Sequence, residues 1–383
     1  MAHSSGKTSL DPDAYPIDNT SIFRLASCTK LITAIALLRL LSQPPWSSQP
    51  IAIHLDDASL VDTHLPDLKA LEVITSAPGN KNITFTPRTV PLTLRHLLTH
   101  TSGVGYDMID PRLRAWRKSR GERTMTLHGP LPESVSTPLL FQLGEGWAYG
   151  GGLDWVGVFV ERASGTKFGE WIREHLFDVL GCDAGIGFAR EEVEKAGSVV
   201  QVVTKGKDGR LKEQKVKDQE VGVERGGGGL YASASNMAKL LTDVIAPNPK
   251  LFSPEIADSL FAPQFLSNSP ALNALQASAS SFRSMSGPLT PSNDVSGINH
   301  ALGGMLVTKD SEELGKTSGT MTWGGAFNCM WFANRERGVA GFYGSSMFPP
   351  GEGRSAELMG EFLKEVWGVE ARGAGRRDTT VKQ

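Results

Sequence analysis

Cysteine is scarce in this sequence. Its three cysteines, Cys28, Cys182 and Cys329, lie far apart, and none belongs to a CxxC or Cys/His ligand pattern. An odd number of scattered cysteines indicates no disulfide framework, and the missing ligand spacing argues against a structural zinc site. We therefore expect no metal site and a fold held together by its apolar core.

An excess of positive charge is also missing. The 383 residues include 39 Lys plus Arg and 41 Asp plus Glu, for a formal net charge of -2. No dense Lys/Arg stripe is visible in the sequence, so the chain has no long-range field that would capture a phosphate backbone. We expect no nucleic-acid partner.

Long apolar runs are absent as well. The most apolar stretch, residues 31–41, is eleven residues long and includes Arg39, so it is too short to span a bilayer. Residues 1–13 are polar and lack the apolar segment of a secretory signal. The sequence therefore predicts a cytoplasmic protein that does not enter the membrane.

Three common catalytic motifs do not occur. The Gly-rich residues 226–229 have neither the Gly-Lys-Ser/Thr ending of a P-loop nor the GxGxxG pattern of a dinucleotide fold. No GxSxG nucleophile elbow is present, which argues against an α/β-hydrolase. We interpret residues 226–229 as a tight turn beside a cleft.

The chemistry that is present begins at Ser27. Ser27-Cys28-Thr29-Lys30 is an S-x-x-K pattern at the start of a helix predicted over residues 27–41. Residues three apart share a helix face, so a desolvated Lys30 amine can take the proton of the Ser27 hydroxyl. Alone the pattern is weak, because four residues with two free positions recur by chance.

Apolar periodicity predicts an α+β protein of two domains. A domain with an antiparallel sheet is predicted for residues 1–41 and 226–367, a mainly helical inserted domain for residues 42–225, and a disordered tail for residues 368–383. We expect a site at the junction of the domains. Helices are predicted over residues 92–100, 150–164, 168–180, 230–245 and 356–366, strands over 301–308, 326–333 and 338–344, and long loops with room for one short helix over 261–299.

Five motifs follow one another along the chain. They are SIFRLASCTKL at 21–31, LTLRHLLTHTSG at 92–103, GWAY at 146–149, GGGLYAS at 227–233 and WGGA at 323–326. In this order they resemble the serine β-lactamase/penicillin-binding-protein superfamily, and within it the family VIII esterases and the fungal acyltransferases of the lovastatin type. The resemblance spans residues 21–344 and implies a β-lactamase/transpeptidase-like fold and a serine enzyme.

The resemblance implies a role for each matching side chain. Ser27 would be the nucleophile, and Lys30 would be its partner on the helix face. Tyr149 matches the Tyr of the family's Y-x-N motif, in which a phenol or phenolate shares the general-base work and later protonates the leaving group.

The last motif would supply the oxyanion site and the strand beside it. Trp323, Gly324 and Gly325 occupy the place of the lactamase K-T-G motif on the strand that lines the site. By the same resemblance, the backbone N–H groups of Ala326 and Ser27 would form the oxyanion hole.

Two departures from the family pattern carry information about the substrate. Gly151 stands where the family has the Asn of Y-x-N, and Trp323 replaces the Lys of K-T-G. A β-lactam presents a carboxylate, and burying a carboxylate without a cation is costly. We therefore expect weak β-lactamase activity at most, and a site better suited to an uncharged ester or thioester.

Two further patterns are interpreted as structural. Lys316-Thr317-Ser318 resembles a K-T-[GS] motif but precedes the predicted hairpin, so we interpret it as a polar turn. His96 and His100 are four residues apart, yet no Glu follows the first His and no third ligand is evident, so we expect histidines that pack in the fold.

The preferred hypothesis is a serine acyltransferase, or transesterase, of secondary metabolism that works through a Ser27 acyl-enzyme. Its partners would be a small-molecule acyl donor and acceptor, with an acyl-carrier or CoA thioester open as the donor, and the mechanism requires no cofactor. Two alternatives stay open. With water as the acceptor, the protein would be a carboxylesterase. The other alternative is an N-terminally shortened inactive homologue, because only 26 residues precede Ser27, where superfamily members place a helix and two strands.

Overall fold

The computed structural model describes residues 2–76, 82–218, 220, 222–286, 294–310 and 317–377. Their α-helices are α1 (Thr29–Leu41), α2 (Ile51–Asp56), α3 (Ala58–His64), α4 (Leu94–Leu98), α5 (Pro111–Ser119), α6 (Gly152–Ser164), α7 (Phe168–Ile172), α8 (Arg190–Val193), α9 (Ala234–Ile245), α10 (Pro254–Phe261), α11 (Pro270–Ser286) and α12 (Gly353–Arg377). Their strands are β1 (Ile22–Arg24), β2 (Val73–Ile74), β3 (Phe85–Thr86), β4 (Ile186–Gly187), β5 (Val203–Lys205), β6 (Leu211–Glu213), β7 (Tyr231–Ser233), β8 (Ile298–His300), β9 (Met305–Val307), β10 (Thr320–Gly324), β11 (Met330–Asn334), β12 (Val339–Tyr343) and β13 (Met347–Phe348). The prediction of an α+β protein is confirmed.

The largest sheet among the described residues has five antiparallel strands in the order β12-β11-β10-β9-β8. Side chains alternate between its faces, as the pleat of a strand requires. Met330 and Phe332 of β11 pack against Leu363 and Trp367 of α12, whereas Trp331 joins the main core on the other face. The hairpin of β11 and β12 was predicted from the sequence, and the structure confirms it.

Helix α1 lies at the centre of the core. Every residue of Thr29–Leu41 except Arg39 is buried, as expected for a helix that is apolar on all sides. It packs against α6, and this packing fixes the relative positions of the residues at the N-terminal ends of the two helices. Lys30 is in the first turn of α1, and Tyr149 precedes α6 by three residues.

Two smaller sheets connect distant parts of the chain. One has the order β1-β7-β4, and the other has the order β13-β5-β6. β4 and β5 belong to residues 42–225 and pair with strands outside that segment. The main apolar cluster also takes side chains from both segments. The division into two domains stays a prediction.

Three predictions about elements need correction. Residues 231–233, predicted as helical, form β7, because they pair with β1, and Ser233 then caps α9 by accepting from the Asn236 N–H. Residues 270–286, predicted within long loops, form α11, whose Leu275 and Ala279 are buried four residues apart.

The third correction concerns the tail. α12 continues to Arg377, so residues 368–377, predicted as disordered, are helical; the prediction rested on their charge and on three glycines, which are poor helix formers. Residues 287–293 and 378–383, for which loops and disorder were predicted, lie outside the described residues, as does Lys316. None of the helices in the described ranges is both long and apolar enough to cross a membrane.

Candidate active site

Ser27 lies in a tight turn between β1 and α1. The turn is a 3-10 helix over Ala26–Cys28, and Ala26 has φ 44°, a left-handed conformation that residues with a Cβ rarely adopt. The Leu25 N–H donates to the Leu230 carbonyl and anchors the turn to the residue before β7. Ser27 is half-buried, so its hydroxyl is held at the end of α1 with one side accessible. Strained backbone of this kind clusters at functional sites.

The three predicted catalytic side chains come together. The Tyr149 phenol donates to Ser27 Oγ at 2.5 Å, and Lys30 Nζ lies 3.5 Å from the same oxygen. Lys30 Nζ is also 4.6 Å from the centre of the Tyr149 ring. The hydroxyl of Ser27 therefore has two groups within reach that can exchange a proton with it.

A buried network holds Lys30 in place. Its Nζ donates to the Gly227 carbonyl at 2.5 Å and to the Tyr106 hydroxyl at 3.2 Å. Tyr106 in turn donates to Asp154 Oδ2 at 3.2 Å, and the Gly227 N–H donates to Asp154 Oδ1 at 3.0 Å. Asp154 is 2% exposed. A single carboxylate thus fixes both groups that orient the amine.

Tyr106 acts in this network as a protonated phenol. Burial raises its pKa well above the usual value, and the neighbouring Asp154 carboxylate raises the pKa further. A phenol with such a raised pKa keeps its proton near pH 7 and acts as a hydrogen-bond donor. Gly227 leaves room for the contact, since a Cβ at that position would lie 2.5 Å from Asp154 Oδ2 and 2.8 Å from the Tyr106 hydroxyl.

Sequence reasoning missed the roles of Tyr106 and Asp154. Neither residue was assigned a function from the sequence. The available signal was an Asp in the first turn of α6, within residues 152–160 that are otherwise apolar, because such a buried acid needs a partner.

The WGGA motif packs directly against the Ser27 turn. A Cβ on Gly325 would clash with the Leu25 carbonyl oxygen and would lie 3.3 Å from the Ala26 Cβ. The Gly325 N–H donates to the Cys329 carbonyl. Gly324 is the last residue of β10, and Ala326 follows, half-buried. No described residue accepts a backbone hydrogen bond from the N–H of Ser27 or of Ala326.

Packing explains why position 151 is a glycine. A Cβ at this position would lie 2.9 Å from Cγ1 of the buried, β-branched Val135. An Asn side chain cannot enter that space without moving Val135. The amide that the family pattern has at this position is therefore excluded by packing, and Tyr106 supplies a polar contact to Lys30 in this region.

An aromatic wall surrounds the ring of Tyr149. Ring centroids lie 5.0 Å away for His100, 5.2 Å for Trp323, 5.5 Å for Tyr106, 5.5 Å for Phe282 and 6.4 Å for Trp147. Burial lowers the pKa of His100 well below its usual value, and burial lowers that of the adjacent His300 to about 4. Both imidazoles are neutral near pH 7, so the wall is aromatic and uncharged.

The other candidates do not contribute to the site. His96 takes part in the N-terminal cap of α4 through Thr93, and Cys28 is a fully buried thiol whose pKa is raised by burial. No group of three or more His, Cys, Asp or Glu that could hold a metal ion occurs in the described ranges. A cavity of about 500 Å³ between α2 and α10 contains none of the site residues.

Comparison with known proteins gives one family and a consistent set of relatives. The "Beta-lactamase" family model matches residues 3–363. The chain is 31% identical to "Acyltransferase calJ" of Penicillium decumbens over 95% of this chain and 84% of that protein. It is 27% identical to "Lovastatin esterase" of Penicillium rubens over 94% and 88%.

A solved structure shows the same fold. The LovD6 mutant of simvastatin synthase from Aspergillus terreus superposes with a TM-score of 0.81 at 25% identity, covering 96% of this chain and 86% of that one. The predicted β-lactamase/transpeptidase-like fold is confirmed. The matched relatives are acyltransferases and esterases, the two activities that the sequence left as alternatives.

Proposed function

Because the chain belongs to the beta-lactamase family, we propose that Ser27, Lys30 and Tyr149 are its catalytic residues and that it transfers an acyl group from an ester or thioester to a metabolite hydroxyl. The protein is a serine acyltransferase or esterase of the β-lactamase-related type, and it acts on a small-molecule acyl donor and acceptor. The observation that carries the residue assignment is the 2.5 Å contact between the Tyr149 hydroxyl and Ser27 Oγ, with Lys30 at 3.5 Å.

In the proposed first step, Ser27 Oγ attacks the carbonyl carbon of the donor. Tyr149 and Lys30 share the removal of the Ser27 proton. The bond from the carbonyl carbon to the leaving oxygen or sulfur then breaks, and Tyr149 returns the proton to the leaving group. The product is an ester on Ser27.

The backbone N–H groups of Ser27 and Ala326 form the proposed oxyanion hole. Packing of Gly325 against Leu25 and Ala26 supports this assignment, because it places the residue after Gly325 beside the Ser27 turn. The two N–H groups have no acceptor among the described residues, which leaves them free to donate to a developing oxyanion.

The second step releases the acyl group to an acceptor. A hydroxyl of a secondary metabolite gives a transesterase, and water gives a carboxylesterase. The uncharged aromatic wall favours the first, since the flat faces of its rings can bury the apolar part of an organic alcohol, whereas water has no apolar part to bury. An apolar Trp323 beside Tyr149, in place of a cation, agrees with the expectation that β-lactams are poor substrates.

A thioester on an acyl-carrier protein or on CoA is the proposed natural donor. Residues 107–128 contain six Lys or Arg against three Asp or Glu, a local basic excess that corrects the expectation of no dense Lys/Arg stripe. Arg114, Lys118 and Arg123 are exposed and form no ion pair with any described residue. Arg114 follows Tyr106 by eight residues in the sequence, and the three positive charges would attract an acidic donor to this side of the protein.

Acylation of Ser27 provides the test. The purified protein is given short p-nitrophenyl esters, and the acyl adduct is located by mass spectrometry of peptides. We expect turnover and an adduct on Ser27, both lost in Ser27→Ala and retained in the control Ser48→Ala, an exposed serine. Unchanged turnover in Ser27→Ala, or an adduct at another residue, would disprove the mechanism, and an unreactive parent protein would favour an inactive homologue.

A further inference from the structure

One member of the aromatic wall differs from the rest. Phe282 belongs to α11 and is partly buried, whereas His100, Trp147 and Trp323 are only 3%, 6% and 2% exposed. Its ring lies 5.2 Å from that of Trp147 and 5.6 Å from that of Trp323, in addition to its contact with Tyr149. Phe282 is therefore the part of the wall that a ligand can reach most easily.

The chemistry of the second step determines what lies against this wall. The acceptor oxygen attacks the acyl carbon, the bond from that carbon to Ser27 Oγ breaks, and the acceptor proton passes through Tyr149 to Ser27 Oγ. Since the Tyr149 hydroxyl is 2.5 Å from Ser27 Oγ, the acceptor hydroxyl has to come within hydrogen-bond reach of Tyr149. The rest of the acceptor then lies beside the rings that enclose Tyr149.

We propose that Phe282 is a specificity-determining residue that forms the outer face of the acceptor subsite and favours an alcohol carrying an apolar ring over water. The proposal rests on the Ser27 acyl-enzyme. Contact with the Phe282 ring stabilises the approach of a ring-bearing alcohol, because aromatic pairs gain energy beyond the burial of their area. Water is too small to gain from that contact, so Phe282 changes the competition between transfer and hydrolysis.

The ratio of transfer to hydrolysis tests this role. The full chain is supplied with p-nitrophenyl butyrate and a fixed concentration of either benzyl alcohol or methanol, and the butyrate ester and butyric acid are quantified. Both products come from the same acyl-enzyme, so their ratio does not depend on how much protein is folded. In Phe282→Ala we expect the benzyl ester-to-acid ratio to fall about tenfold and the methyl ester-to-acid ratio to change by less than about twofold.

Two further variants make the result unambiguous. Phe282→Leu keeps most of the volume but loses the flat ring, so it should also lower the benzyl ratio selectively, even if the Ala variant does not fold. Phe188→Ala removes another partly buried Phe, one that packs on Phe168 away from Tyr149, and should leave both ratios unchanged.

The outcomes separate this inference from the proposed function. Products that persist in Ser27→Ala would show that the acyl-enzyme mechanism is wrong. Products that depend on Ser27, with a benzyl ratio that is the same in the parent, Phe282→Ala and Phe282→Leu, would overturn the role of Phe282 alone. A parent protein that hydrolyses the donor but forms no benzyl ester would overturn it as well.

Discussion

The buried carboxylate of Asp154 holds the Lys30 amine in place without touching it. It accepts hydrogen bonds from the Tyr106 hydroxyl and the Gly227 N–H, and both of these residues contact Lys30 Nζ. Asp154→Asn keeps the shape and removes the charge. We expect kcat for p-nitrophenyl esters to fall about 10- to 100-fold, because hydrogen bonds to charged groups contribute about 1.5–3 kcal/mol, while KM changes by less than about threefold.

A second buried acid provides the control for Asp154. Asp243 is 7% exposed and accepts from the N–H groups of Lys250 and Leu251, away from the site. Asp243→Asn should lower the melting temperature and leave kcat unchanged. An equal loss of kcat in both variants would mean that Asp154 has only a structural role.

The buried imidazole of His300 should make stability depend on pH. Its pKa is about 4 in the folded protein, against an ordinary value of 6.5, because it is buried. Between pH 6.5 and about 4 the unfolded chain therefore binds a proton that the native chain does not, so stability is complete above pH 6.5 and falls as the pH is lowered. Each such proton changes the free energy of unfolding by up to about 1.4 kcal/mol per pH unit.

Urea unfolding at pH 7, 6 and 5 measures this dependence. His300→Gln should reduce the slope of unfolding free energy against pH, whereas His128→Gln, at an exposed histidine, should leave the slope unchanged. The burial of His100 also lowers its pKa, so part of the slope should remain in His300→Gln. A slope equal to that of the parent would contradict the assignment to His300.

The resemblance of five ordered motifs to a known superfamily identified Ser27, Lys30 and Tyr149 as candidates, and the structure brings the three together. It was not enough for Tyr106 and Asp154. Their contact joins residues 48 positions apart, and such a pair leaves no local pattern in one sequence. Phe282 was missed for a similar reason, because its helix lies in a Ser- and Ala-rich segment with no clear period.

At the scale of elements, the position of β10 against the Ser27 turn depends on one glycine. A Cβ on Gly325 would clash with the Leu25 carbonyl oxygen, and backbone on both sides leaves no flexible atom to move aside. In Gly325→Ala the end of β10 must shift away from Ser27. We expect kcat/KM to fall about 100-fold or more, since a displacement of about 1 Å at a reacting centre has an effect of that size.

Gly360 offers the matched control, since it lies in α12 and has open space where a Cβ would be. Gly360→Ala should retain full activity and raise the free energy of unfolding by up to about 1 kcal/mol. Both variants are assayed with p-nitrophenyl esters and by thermal unfolding. Full activity in Gly325→Ala would show that the contact of β10 with the turn does not position the site.

Two features stabilised by local interactions were predicted correctly from the sequence, and a strand stabilised by distant ones was not. α1 and the β11–β12 hairpin are local: one has a continuous apolar pattern, and the other has a short turn between alternating strands. β7 is only three residues long and exists because it pairs with β1 and β4, which are far away in sequence. Its residues join directly onto α9, so their apolar pattern continued that of the helix and indicated the wrong structure.

For the whole molecule, the two predicted domains share one core. The main apolar cluster contains Leu37 of α1, Trp155 of α6 and Trp323 of β10, and strands β4 and β5 of the helical segment pair with β7 and β13. Neither segment can unfold without exposing side chains of the other. We therefore expect one cooperative unfolding transition rather than two.

Tryptophans in both segments allow a direct test of that cooperativity. Trp171 belongs to α7 of the helical segment and Trp331 to β11 of the sheet, and both are buried. Trp171→Phe and Trp331→Phe each remove one reporter, so urea unfolding followed by fluorescence in the two variants weights the two segments differently. Far-UV circular dichroism reports the backbone of the whole chain.

The midpoints should coincide for all probes in each variant, because the shared core couples the segments. For each variant, the fluorescence midpoint is compared with the circular dichroism midpoint of the same variant. If the fluorescence midpoint then lies at lower urea in Trp331→Phe than in Trp171→Phe, the helical segment unfolds first and has a core of its own.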